Sequence, residues 1–312
     1  MKKQPIIING QQVGKLKASW LLFKETWSYL KADSEILWIP IITTLINIFA
    51  FGILITLFIV VVLAGHISLP GDGQPTSALE WVFIFLCYVV CAFTLAISQG
   101  SISYTVYTRA HGGDATLREA LKAGFARSGD FFIWAVVTST VGVILRMIME
   151  RSRLLGAIVA FFLGVAWSVL TYFTVPAMML DKKSTFPAIA HSGSVFRRTW
   201  GETIVSNVTL GLTFFVINLA AICSIFGLAM LAFVIKVPVG FVIVLGLMAF
   251  IIFLFCSVLL QASLEAILKT LLYIYANERT IPQNFNGELL SHVLVSETPP
   301  AAPATPTTPV AN

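Results

Sequence analysis

The chain has 312 residues, 57% of them hydrophobic and 11% charged, with 20 Lys and Arg against 15 Asp and Glu. A soluble domain of this size carries about twice that charged fraction, so too little polar surface is present to coat a water-soluble globule. The net charge of +5 is no nucleic-acid signal, because no basic patch is interleaved with stacking aromatics in a soluble module, and no nucleic-acid partner is expected.

Residues 1–14 read as an N-terminal lead, 15–280 as a membrane domain and 281–312 as a cytoplasmic tail. In the first segment of the domain Leu16, Trp20, Phe23, Trp27 and Leu30 recur at helical spacing while Lys17, Lys24 and Lys31 line another face, the pattern of a helix lying in the headgroup layer on anionic lipid. Six stretches without Asp, Glu, Lys or Arg follow: 39–64, 81–107, 131–145, 154–180, 204–235 and 237–260. A hydrocarbon core of about 30 Å needs about 20 apolar residues in a helix. Only the third stretch falls short, and it spans if Arg146 and Glu150 extend to the far interface. The first stretch is too long and too far from the start for a cleavable signal.

The basic residues set the expected orientation. Sixteen of the 20 Lys and Arg lie on one side of the six spans and four (Arg146, Arg151, Arg153 and Lys236) on the other. The positive-inside rule then puts both termini in the cytoplasm. Short connections on the other side make three helical hairpins.

Two further surface helices are expected before the third and fifth spans. In one, Thr116 and Glu119 form a capping box followed by the stripe Leu117, Leu121 and Phe125; in the other, Phe186, Ile189, Gly193, Phe196 and Trp200 recur after Pro187. The fold expected is all-α: a six-span polytopic bundle with three cytoplasmic-side interfacial amphipathic helices. Ser19, Phe23, Lys24, Thr26 and Trp27 align with Ser192, Phe196, Arg197, Thr199 and Trp200, which either an internal repeat or the shared demand for amphipathicity produces. From about residue 296 the tail is rich in Pro, Ala and Thr, cannot bury a core and is expected to be disordered.

These motifs, with the run from Gly142 to Arg146 followed by Glu150 and Arg151, Ala166 and Trp167 followed by 171–176, and the run from Phe196 to Glu202, resemble an uncharacterised family of prokaryotic six-span membrane proteins, over roughly residues 15 to 280. A distant similarity to the membrane-anchor region of bacterial glycerophosphodiesterases also exists, but the catalytic barrel of those enzymes is absent. The resemblance implies an integral protein of the plasma (inner) membrane of a prokaryote, and no activity.

Four groups of residues carry the site expectations. Arg146, Glu150, Arg151 and Arg153 form either an anionic headgroup or solute site, or a local ion pair capping a short span. Lys17, Trp20, Lys24, Trp27, Lys31, Arg197 and Trp200 are the interfacial lipid contacts. Gly156, Ala160, Gly164 and Ser168 form a small-residue ladder that marks a tight helix crossing. Gln261, Glu265 and Lys269, four apart, read as a helix end leaving lipid, or a gate. His66, His111, His191 and His292 read as scattered surface residues, and the four Cys as inert thiols inside spans. No nucleophile and base set and no metal motif is visible, so neither an enzyme, a cofactor nor a metal is expected. The role favoured is a scaffold or lipid-associated assembly factor partnered by anionic lipid and by another membrane protein. The competing role is a small-solute transporter, which requires Arg146, Asn47, Gln99, Asn207 and Asn218 to converge on one cavity.

Overall fold

Over their described residues the six charge-free stretches are helical, apart from turns at Ala64 and at 172–173, in the computed structural model, which describes residues 6–8, 11–13, 24, 26–31, 34–64, 78–151, 155–234 and 239–278. At 6–8, 11–13, 34, 151, 198–209, 229, 231–234, 239 and 241–243 it describes backbone only. A short antiparallel hairpin pairs β1 (Ile6–Ile8) with β2 (Gln11–Val13), with Ile6 opposite Val13. The intervening Asn9-Gly10 is the dipeptide that best suits a two-residue hairpin loop. After helical residues 26–31 and a 3₁₀ turn (Ser34–Leu37) come α1 (Trp38–Leu63), α2 (Ala78–Ala110), α3 (Leu117–Ala126), α4 (Ser128–Arg151), α5 (Leu155–Thr171), α6 (Thr174–Leu180), α7 (Thr185–Val234) and α8 (Val239–Glu278).

The last two helices run far beyond the expected spans. The 50 residues of α7 and the 40 of α8 correspond to about 75 Å and about 60 Å of helix, twice the hydrocarbon thickness or more. Residues 186–200, read from sequence as a separate surface helix, are instead the first turns of α7. Likewise α8 continues from the apolar stretch to Glu278. Leu264, Ile267, Leu271, Leu272 and Tyr273 on that extension are each at most 1% exposed.

The protein core therefore sits at the end that carries most of the basic residues, here termed the basic end. Ile102 and Val106 of α2, Ala120 of α3, Phe131 of α4, Phe173, Ala177 and Met178 around α6, and Ala188 and Val195 of α7 pack there with the α8 extension. Tyr29 donates from its hydroxyl to the Val106 carbonyl oxygen at 3.2 Å, and the Ser103 and Thr270 hydroxyls meet at 2.8 Å. Toward the opposite end the helices carry exposed apolar side chains such as Phe49, Leu63 and Phe226. Apolar surface of this extent is the kind that packs against lipid or another protein, and these helices are long and apolar enough to cross a membrane.

The surface segments turn their apolar stripes inward only in part. Of the first, Thr26, Tyr29 and Leu30 are buried against the body, Trp27 is half-buried on it, and Lys24 and Lys31 stay exposed. In α3 the most buried residues are Ala120 and Gly124, with Leu117 and Leu121 of the stripe half-buried against the core beside them and Phe125 exposed. The cause is steric: a Cβ at Gly124 would lie 2.2 Å from the Ser101 Oγ and 3.1 Å from the Ile97 carbonyl oxygen. Backbone lies on backbone here, and larger side chains on that face would hold α3 away from α2. The glycine pair Gly112-Gly113 ends α2: Gly112 has φ 80°, and the Gly113 N–H donates to the Thr108 carbonyl at 2.9 Å.

The capping box of α3 forms as read. The Glu119 N–H donates to the Thr116 Oγ1 at 3.3 Å, the Thr116 N–H to the Glu119 Oε2 at 3.0 Å, and Glu35 accepts from the Leu117 N–H at 3.2 Å. Thr116→Ala is expected to destabilise the helix by about 1 kcal/mol. The Thr116 backbone N–H, then its hydroxyl, holds the Glu119 carboxyl below the usual carboxylate range. Its folded pKa is lowered, so its contribution is complete above the unfolded value of about 4.3 and is lost as pH falls through the folded value. Hydrogen exchange of the first-turn amides of α3 should accordingly be pH-independent, after correction for intrinsic rates, above about pH 5 and rise below it. Thr116→Ala should show faster exchange and a weaker dependence.

Candidate functional site

Pro176 creates the site. It has no N–H for the carbonyl of Tyr172, four residues back, and its ring collides with that carbonyl in a straight helix. The fourth span accordingly breaks at Tyr172 and Phe173 into α5 and α6. The Phe173 N–H is taken up by the Ser192 Oγ at 2.9 Å, and both residues are fully buried. Beyond the break α6 turns into the core, with Thr174, Val175, Pro176, Ala177, Met178 and Met179 all buried.

Helices α2, α4, α5, α7 and α8 pack each on the next, and α8 returns to α2, closing a ring. A partly open cavity of about 870 Å³ is lined from α2 (Leu95, Gln99), α4 (Trp134, Thr138), α5 (Ala160, Gly164, Ser168), Tyr172 at the break, α7 (Phe196) and α8 (Glu265, Lys269). That volume is in the range of sites for small molecules and lipids. The walls are mostly apolar, and the charged groups stand together at the basic end. Lys269 Nζ lies 2.8 Å from Glu265 Oε1 and 4.8 Å from the centre of the Tyr172 ring. The lysine side chain is only 14% exposed, and these two partners compensate its lost hydration. Trp134 stacks on Trp167 at 6.1 Å, and Trp167 donates to the Thr138 hydroxyl at 3.3 Å, joining α4 to α5 along the wall.

Aromatic rings close the basic end of the cavity. Phe173 meets Tyr172 edge to face at 4.7 Å, with Tyr273 at 5.9 Å and Phe196 at 6.4 Å. Beyond this floor the Tyr273 hydroxyl donates to Asp181 at 2.8 Å; Lys183 pairs with the same carboxylate, and His191 Nε2 lies 3.5 Å from it. His111 bridges the ends of α2 and α8, with Nε2 3.0 Å from Glu278. His111, at the exposed surface, and half-buried His191 are thus each paired with a carboxylate. His111 and Glu278 are 167 positions apart, so no local pattern reveals that pair. Among the described residues no three His, Cys, Asp or Glu side chains come together as a metal set.

The expected site residues separate into several places. Arg146 pairs with Glu150 at 2.9 Å and lies over the Trp81 ring at 5.9 Å, at the end opposite the cavity floor. The Arg151 side chain and Arg153 fall outside the described residues. Lys24, Lys31 and Arg197 are exposed and Trp27 is half-buried with Lys31 over its ring at 5.7 Å. Lys17, Trp20 and the Trp200 side chain lie outside the described residues, as do His66 and His292. The ladder is used unevenly. A Cβ at Gly156 would come within 2.3 Å of the Ile148 carbonyl, so α4 and α5 cross there in backbone contact, but Gly164 meets only the Leu145 Cδ1 at 3.7 Å. Ala160, Gly164 and Ser168 instead form cavity wall. Glu265 and Lys269, read as a helix end leaving lipid, belong to the cavity.

The span amides also disperse. Asn47 donates to Thr94 between α1 and α2, Asn218 donates to Ser257 at 3.1 Å between α7 and α8, and of the group only Gln99 lines the cavity. The Asn207 side chain is outside the described residues.

No curated protein and no solved structure matches the chain. A family model described as a family of unknown function (DUF6159) matches residues 78–281, about two thirds of the chain, starting at the second span rather than near residue 15. The chain, a helical bundle with six helices long and apolar enough to cross a membrane, belongs to DUF6159.

Proposed function

We propose that this protein is a non-enzymatic membrane scaffold that holds a lipid in the cavity between its helices. The cavity carries the reading: its walls are mostly apolar, and its charged groups are confined to one end, as an amphiphile requires. From Ala160 to Thr171 the lined stretch of α5 is about 16 Å long, close to the half-thickness of a bilayer's hydrocarbon core. In this reading the basic end faces the cytoplasm of a prokaryotic plasma membrane, with both termini there, because sixteen of 20 Lys and Arg fall on that side. The exposed Lys24, Lys31 and Arg197 then rest on anionic headgroups around the body, and a partner membrane protein docks on the same face.

Transport is the second reading, favoured by the helix break beside the cavity, a feature of solute sites in transporters. The scatter of the span amides speaks against it, since a solute path needs a convergent polar lining. Ser168 is exposed on the cavity wall, so Ser168→Phe fills the cavity without entering a helix crossing. Native mass spectrometry of the full chain in mild detergent should show retained lipid for the wild type and its loss for Ser168→Phe, with an unchanged melting curve. Equal lipid retention by both would refute the lipid site.

A further inference from the structure

The cavity lining holds one cation and one anion, Lys269 and Glu265, 2.8 Å apart on successive turns of α8. We propose that this pair selects a zwitterionic lipid headgroup, a phosphate with a primary ammonium as in phosphatidylethanolamine, over an anionic one; the inference rests on the lipid reading above. An anionic headgroup that placed its phosphate on Lys269 would bring that charge against the Glu265 carboxylate 2.8 Å away, and the two negative charges repel. A zwitterion sets its phosphate against the lysine and its ammonium against the glutamate, leaving both protein charges compensated. A primary ammonium also donates hydrogen bonds to the carboxylate. A quaternary one has no N–H and cannot donate to the glutamate.

The remaining lining suits this arrangement. Gln99, Thr138, Ser168 and Thr171 offer uncharged donors and acceptors for the glycerol esters, and Leu95 and Phe161 face the chains. The lipid held in the cavity is then of a different class from the anionic lipid around the exposed lysines. Net charge decides the difference: zero in the cavity, positive on the outer basic face.

The test uses the full chain, delipidated in detergent and offered equimolar phosphatidylethanolamine and phosphatidylglycerol, with bound lipid read by native mass spectrometry. The wild type should retain phosphatidylethanolamine by about tenfold or more, the factor carried by one charge-assisted hydrogen bond. Glu265→Gln leaves a lone cation and should invert the preference toward phosphatidylglycerol. Ser168→Phe should retain neither lipid. Preference of the wild type for phosphatidylglycerol, or a ratio unmoved by Glu265→Gln, overturns the headgroup assignment while loss of lipid in Ser168→Phe keeps the cavity as the lipid site. Retention by Ser168→Phe instead overturns the lipid reading itself. Soluble phosphoethanolamine separates a lipid from a free zwitterion: failure to displace the bound lipid at millimolar concentration supports the lipid, and displacement overturns it.

Discussion

Phe173→Ala should be among the most damaging single substitutions in the chain, lowering stability by about 3 to 5 kcal/mol. The ring is fully buried at the point where the fourth span breaks, and it touches three other aromatic residues drawn from three helices or their joints. Removing it leaves a hole that Tyr172, Tyr273 and Phe196 cannot fill together, because Lys269 holds the first and Asp181 the second. It also removes the partition between the apolar cavity and the polar cluster around Asp181. Thermal unfolding in detergent, followed by circular dichroism, checks the prediction; Phe173→Leu should recover most of the loss, since it restores most of the volume.

A paired substitution gives the second large effect by contrast. Gly156→Val drives a side chain into the Ile148 carbonyl, which is backbone and has no rotamer to yield, so α4 and α5 must separate at a cost of about 3 kcal/mol or more. Gly164→Val, two turns along the same helix, enters open cavity beside a flexible leucine and should change stability by less than about 1 kcal/mol. The same change with opposite outcomes separates helix crossing from cavity wall along a ladder that looks uniform in sequence. Unfolding midpoints of the two variants, measured side by side, decide it.

That contrast shows where reading the residues succeeds. Spans follow from charge-free length and the start of α3 from Thr116 and Glu119, because each depends on atoms a few residues apart; the break in the fourth span is missed, although Pro176 is the local signal for it. What lies across the ring does not. Gln99, Trp134, Phe196 and Lys269 share no local pattern, and their meeting depends on how five helices close. The continuity of α7 is hidden for a related reason: apolar periodicity fades where the helix leaves the lipid, so one 50-residue helix reads as a surface segment and a span. The α8 extension misleads in the other sense, since Glu265 and Lys269 look like a solvated end and instead line the cavity, the lysine 14% and the glutamate 39% exposed. For α3 the apolar stripe gives the packed face only approximately, because the close contact at Gly124 centres it on Ala120 and Gly124, with Leu117 and Leu121 at its flank and Phe125 exposed.

The membrane reading itself is tested most directly by single-cysteine labelling in intact cells, with the four native cysteines replaced by serine. Gly71→Cys lies in the first connection away from the basic end, and Lys3→Cys and Ala301→Cys lie toward the two ends of the chain. A membrane-impermeant maleimide should label Gly71→Cys in whole cells and the other two only after permeabilisation. Labelling of all three positions from the same side would contradict a six-span chain with its basic end in the cytoplasm.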